Sequence, residues 1–361
     1  MGPFDQAWLI ATFALAAPLL FAALGELISE RSGVINVGLE GMMIVGAFAA
    51  FWVAWLTDDV WLGVLGGVAG GMLLAAIMAL VTVQAAGDQI VAGLGLFIVG
   101  GGVTAFANQE IFAERGQVMV EPMARLELPL LVDIPVIGEP LFNQTPLAYL
   151  AYLAVPFVYV LLWRTPWGLS VRAAGEHPEA LEANGLSVHA ARWTGVLAAG
   201  IGGGLGGAML TVGSVGVFND GMSAGRGFIA LAAVVFGRWR PAGVLGACLV
   251  FGAADALQLR LQALGEIPPE VWLVAAAIAA ATLAWRLVPG HRPGIVDLAV
   301  PAAGVAVAAT LFVISPPWSL PPQIWLMLPY VTALLVLAGL LGRTRMPRAI
   351  GQAYRRARVS V

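Results

Sequence analysis

The chain has 361 residues, 60% of them hydrophobic and 11% charged, with a formal net charge of −3. Soluble domains are about half apolar and about a quarter charged, and the apolar residues here come in runs of roughly 20, the length that crosses about 30 Å of hydrocarbon. A soluble domain, a membrane barrel, which needs strict alternation, and a basic nucleic-acid-binding domain are therefore excluded; the expected fold is an all-α integral membrane protein.

The first ten residues, "MGPFDQAWLI", show no basic leader region and no small-residue cleavage site, so the first apolar run is read as mature structure. Apolar runs at 8–27, 33–56, 60–84, 87–107, 146–163, 192–218, 227–237, 241–262, 271–288, 295–315 and 323–341 predict a polytopic bundle of about 10–11 transmembrane helices. The run at 227–237 is too short to cross unaided and is expected to be half of a broken or re-entrant helix, tolerated only when buried in protein. The runs at 33–56 and 87–107 are further candidates for broken helices.

Between the first two spans, Ser29, Glu30, Arg31 and Ser32 read as a cytoplasmic turn. Beyond it Asn36 and Glu40 lie four residues apart in an apolar run, which in a helix places them on one face. An ionisable group at membrane depth points either to a functional site or to interior capping and pairing. Glycines crowd two runs, "GVLGGVAGG" at 63–71 and "GIGGGLGG" at 200–207. They fit close helix–helix approach, with a glycine-lined conduit as the alternative.

The loop at 108–145 is net acidic and is placed outside. Arginine sets that orientation: all 18 basic residues are Arg, and Arg164, Arg172, Arg192, Arg238, Arg240, Arg286 and Arg292 fall on loops that alternate to the cytoplasm, as does a basic tail over 342–361 carrying Arg343, Arg345, Arg348, Arg355, Arg356 and Arg358. The absence of Lys removes a Walker A lysine, so any ATPase that drives this chain is a separate polypeptide. The single cysteine, Cys248, can form no internal disulfide. His177, His189 and His291 do not show metalloprotease spacing.

Within the cytoplasmic loop 164–191, the stretch "AAGEHPEALEANGLSV" at 173–188 is charged, Pro-started and Gly-stopped. Pro178 suits a first helical turn, Glu176 and Glu179 suit the positive end of a helix dipole, and Gly185 suits the left-handed position that ends a helix. A helix of about two turns is expected there, lying either on lipid headgroups or in a groove of a soluble partner. Farther on, Phe218, Asn219 and Arg226 stand at the outer end of the half-length run and are candidates for a substrate path; Asp255 lies inside a span and is expected to face protein. "IPPEVWL" from Ile267 and "LPPQIWL" from Leu320 echo one another. They suggest either a duplication or insertion of about two spans, or two Pro-Pro turns that each lead into a helix.

The stretches "SGVINVGLEGMMIVGAF", "VRAAGEHPEALEANGLSV", "GRGFIALAAVVFGRWRPAGVLGACLVFGAADALQLRLQ" and "PPQIWLMLPYVTALLVLAGLLGR" resemble, in that order, the permease subunits of ABC importers for nucleosides and simple sugars, within the larger branched-chain amino acid and ribose permease superfamily. The resemblance implies that 1–341 is a transmembrane permease domain and that 173–188 holds the coupling helix contacting the ATP-binding subunit, through Gly175, Glu176, Pro178, Ala180, Leu181 and Gly185. It further implies alternating access, ATP and Mg bound by the partner ATPase with no cofactor in this chain, a second homologous permease, an extracytoplasmic substrate-binding protein, and a bacterial-type cytoplasmic membrane. Members usually carry an Asn where this chain has Phe97, so Phe97 joins Asn36, Glu40, Phe218, Asn219 and Arg226 as candidates for the path. Against the family pattern, 270–322 reads as an extra helical hairpin. Nucleosides are the favoured cargo and simple sugars the runner-up. An ion-coupled transporter would need intramembrane carboxylates, for which Glu40 and Asp255 are the candidates.

Overall fold

The structure, a computed structural model, describes residues 4–116, 118–264, 267–287, 295–314, 321–332 and 346–354. Its long helices are α1 (Gln6–Arg31), α2 (Leu39–Thr57), α3 (Val60–Ala79, prolonged by a π turn over Leu80–Gln84) and α4 (Gln89–Phe112). A connecting segment follows, with a two-residue antiparallel pairing of β1 (Leu126–Glu127) and β2 (Asn143–Gln144) and the short α5 (Gly138–Phe142) between them. Next come α6 (Pro146–Arg164), α7 (Pro166–Glu176), α8 (Pro178–Ala183), and α9 (Val188–Leu210, prolonged by a π turn over Thr211–Val215). The chain closes through α10 (Arg226–Phe236), α11 (Pro241–Leu264), α12 (Pro269–Arg286), α13 (Ile295–Ile314) and α14 (Pro322–Trp325).

Several helices start where a short polar side chain can take up free backbone N–H groups. Asp59 caps α3, Asp88 caps α4, Thr145 caps α6 and Ser187 caps α9. Asp5 caps α1 and also takes the guanidinium of Arg260 on α11; the Arg260 hydrogen bond holds its carboxyl below the ordinary value.

Among the described residues seven helices are long and apolar enough to cross a membrane: α1, α2, α3, α4, α6, α9 and α11. The expectation of about 10–11 spans thus divides into seven full-length candidates, the half-length α10, the pair α12 and α13, and a run at 323–341 whose residues beyond 332 lie outside the described set. The run at 87–107 is one unbroken helix, α4.

Helix α9 is the centre of the bundle, packed by α1, α2 and α3. Its glycines lie where backbones meet. A Cβ on Gly202 would lie 2.4 Å from the Phe21 carbonyl oxygen, one on Gly204 2.4 Å from that of Gly67, and one on Gly207 2.2 Å from that of Met43. Such separations admit no side chain, so the glycine runs serve close packing and line no conduit here.

Helices α12 and α13 pack chiefly on each other. Both Pro-Pro pairs stand at helix starts, Pro268–Pro269 at α12 and Pro321–Pro322 at α14. Because α12 and α13 pack chiefly on each other among the described residues, deleting 270–322 and joining the flanks should leave a monodisperse species on gel filtration in detergent. Aggregation of that variant would show the hairpin to be integral.

Candidate substrate path and coupling surface

The chain breaks between α1 and α2. Helix α1 runs on to Arg31, so Ser29 and Glu30 are helical and the turn is confined to Ser32 and Gly33. Residues 34–38 are not helical. Asn36 therefore stands in the break, and the expectation that it shares a helix face with Glu40 is corrected. Non-helical backbone at membrane depth must find partners within the protein. Here Ser29 Oγ donates to the Val34 carbonyl at 2.9 Å, Gln89 Oε1 accepts from the Ile35 N–H at 2.8 Å, and Glu26 Oε1 accepts from the Asn36 N–H at 2.9 Å. Glu26 and Asn36 are both fully buried.

Glu40 opens α2 and reaches the half-helix α10. Its Oε1 accepts from the Gly225 N–H at 2.8 Å and its Oε2 from the Gly227 N–H at 2.6 Å. Those groups belong to the N-terminal end of α10, where a carboxylate is favoured by both hydrogen bonding and the helix dipole. The approach needs a glycine, because a Cβ on Gly227 would lie 2.5 Å from the Glu40 backbone. The half-helix end that sequence reasoning offered to substrate is occupied by a protein carboxylate, so Glu40 fastens α10 to α2.

Arg226, the first residue of α10, faces Asp255 of α11 at 3.5 Å and donates to the Met222 carbonyl at 3.2 Å. Asp255 lies roughly 20 Å along α11 from its first residue and faces protein, as the sequence predicts. The ion pair ties the other side of α10 to α11. Phe97 on α4 meets Phe228 on α10 edge to face, with ring centroids 5.4 Å apart. Glu40, Arg226 and Phe97 thus converge on one short helix.

Phe218 and Asn219 lie nearer the outer end. Phe218 is buried against Phe48 at 5.2 Å and Phe51 at 6.5 Å. Asn219 is exposed, and Asn108 Nδ2 donates to Asp220 Oδ1 at 3.1 Å. These residues line an external cavity of about 440 Å³ with Phe51 and Phe112. The aromatic cluster lies beneath it.

At the opposite end the loop 164–191 folds as a platform. The expected helix of about two turns is α8, started by Pro178 and stopped by Gly185 at φ +77°, the backbone conformation that favours glycine. Its residues divide by direction. Leu181 is buried with Ala174, Val188 and Ala191, anchoring α8 to α7 and α9, whereas Ala180 and Leu186 are exposed. Gly175 and Glu176 belong to α7. A Cβ on Gly175 would lie 2.3 Å from the Arg31 carbonyl oxygen, and Glu176 pairs with Arg31 at 3.8 Å. Glu176 therefore does not serve the start of α8, and the outward surface consists of Pro178, Glu179, Ala180 and residues 183–187.

Sequence reasoning missed Glu26 and Glu30. Both are buried on α1, and the Trp239 indole N–H donates to the Glu30 carboxylate. Their signal was available: two carboxylates four residues apart in "GELISE" just inside a span. Among the described residues no group of three His, Cys, Asp or Glu side chains could hold a metal ion.

Comparisons with known proteins fit this geometry. Residues 8–278 match the family described as the branched-chain amino acid transport system permease component. A putative glucose ABC transporter permease of Haloferax volcanii is 41% identical over 72% of this chain and 79% of its own. The guanosine ABC transporter permease of Bacillus subtilis is 33% identical over 95% of both chains. The nucleoside ABC transporter permease of Lactococcus lactis is 33% identical over 94% of this chain and 93% of its own. No solved structure matches.

Proposed function

This chain belongs to the branched-chain amino acid transport permease family, and from that premise we propose that it is the membrane-spanning subunit of an ABC importer for nucleosides, driven by a separate ATP-binding subunit. It sits in the cytoplasmic membrane beside a second homologous permease and receives cargo from an extracytoplasmic binding protein. ATP and Mg are bound by the partner ATPase. The observation that carries the cargo is extent: the guanosine and nucleoside permeases align over 95% and 94% of this chain. The second reading, a simple sugar, rests on the 41% identity to the glucose relative over 72% of the chain.

The geometry supports a division of labour. The exposed face of α8 meets the ATPase. The break at 32–38 and the half-helix α10, held by Glu40 on one side and Asp255 on the other, are the elements that rearrange. The Phe97 and Phe228 rings offer an aromatic surface to a flat nucleobase.

Uptake of radiolabelled guanosine and glucose into cells carrying the complete transporter tests the cargo. The expected result is saturable guanosine uptake that excess glucose does not displace; glucose uptake blocked by glucose alone would favour the sugar reading. In the same assay Phe97→Ala should raise the apparent KM for guanosine about three- to tenfold, the equivalent of an aromatic contact of about 0.5–1.5 kcal/mol. An unchanged KM would remove Phe97 from the path.

A further inference from the structure

The basic tail contains a segment that the charge pattern alone did not single out. Residues 346–354 lie against the cytoplasmic platform, with Pro347 and Ala349 buried. The Ala349 N–H donates to the Gly175 carbonyl at 2.8 Å, and the Gly351 N–H donates to the Gly33 carbonyl at 3.1 Å. Arg192 of α9 donates through Nη1 to the Gln352 carbonyl at 2.7 Å. Tyr354 closes the run: its hydroxyl donates to the Glu182 carboxylate on α8, its ring lies 5.9 Å from the Arg192 guanidinium, and its centroid lies 5.9 Å from that of His189.

One short segment thus touches α8 at one end and the start of the α1–α2 break at the other. Gly33 has φ +96°, and a Cβ there would lie 3.3 Å from both the Ala349 carbonyl oxygen and the Gly175 Cα, so the three backbones approach one another closely. We propose that residues 346–354 form a strap that fastens the coupling helix to the α1–α2 break, so that α8 and Gly33 move as one unit. The proposal rests on reading α8 as the coupling helix. It gives that helix a continuous route inward: α8, Tyr354, Gly351, Gly33, the break, and then Glu40 and α10.

The chain stopped after Arg345 lacks the strap. In the assembled transporter it should still hold the ATP-binding subunit and hydrolyse ATP, while uptake falls at least tenfold. Normal uptake, or loss of the ATP-binding subunit, overturns the proposal. Because truncation can disturb folding, a second variant uses the full chain: Glu182→Cys with Tyr354→Cys in a Cys248→Ser background. The pair should show reduced uptake, restored to within about twofold of the parent when a short bis-thiol reagent replaces the lost contact. A cross-link that leaves uptake low shows that strap and helix separate in the cycle, and the proposal falls. Failure of the underlying reading looks different, since the unaltered chain would then hold no ATP-binding subunit.

Discussion

Ala180→Arg should abolish ATP-driven uptake, at least a hundredfold, while leaving membrane insertion and thermal stability unchanged. Ala180 lies on the exposed face of α8, while its neighbour Leu181 carries the packing inward. A guanidinium at position 180 therefore meets nothing in the isolated chain. In a complex it would be forced into the centre of a docked surface without a partner, and an uncompensated buried charge costs about 3–5 kcal/mol. The paired measurements are uptake in cells and melting temperature of the purified chain in detergent. Normal uptake by this variant would show that the ATPase docks elsewhere. A lowered melting temperature would show that Ala180 is packed within the permease.

Glu40→Ala should destabilise the bundle and stop transport. The substitution removes both acceptors from the Gly225 and Gly227 N–H groups. Hydrogen bonds to a charged group contribute about 1.5–3 kcal/mol each, and the freed Gly227 donor is buried where water cannot replace the carboxylate, while the Gly225 donor is half-buried. The expected loss of about 3–6 kcal/mol lowers the melting temperature by at least about 5 °C. Glu40→Gln keeps one carbonyl oxygen and should lose roughly half as much. If Glu40→Ala instead melts like the parent while uptake is lost, the residue acts on cargo directly and its role as a fastening is wrong.

Most helices were legible because their apolar runs end at polar caps: Asp59, Asp88, Thr145 and Ser187 mark helix starts to within a few residues. Helix α8 was legible for the same reason, since Pro178 and Gly185 are local signals. The run at 33–56 was a candidate for a broken helix, but the break at 32–38 was not placed within it, because Val34, Ile35 and Val37 join it to the apolar run of α2. Hydrogen bonds from Ser29, Glu26 and the distant Gln89 hold it in place, and such bonds leave no periodic trace in the sequence. Glu40 was visible as an intramembrane carboxylate, but its partners are backbone groups at Gly225 and Gly227, and backbone groups are present at every position. The opposite error occurred at Glu30, which charge assigned to a turn although α1 carries it into the protein. The tail contact was hidden similarly: Arg dominates the composition of 342–361, while Ala349, Gly351 and Tyr354 make the contacts.

A separate ATPase docked on α8 should drive this chain. The most direct measurement is purification of the tagged chain from its native membrane in mild detergent, with quantitative mass spectrometry of its companions. The account predicts an ATP-binding subunit and a second homologous permease in comparable amounts, with the ATP-binding subunit lost from Ala180→Arg. A chain that comes out alone, or only with itself, contradicts it.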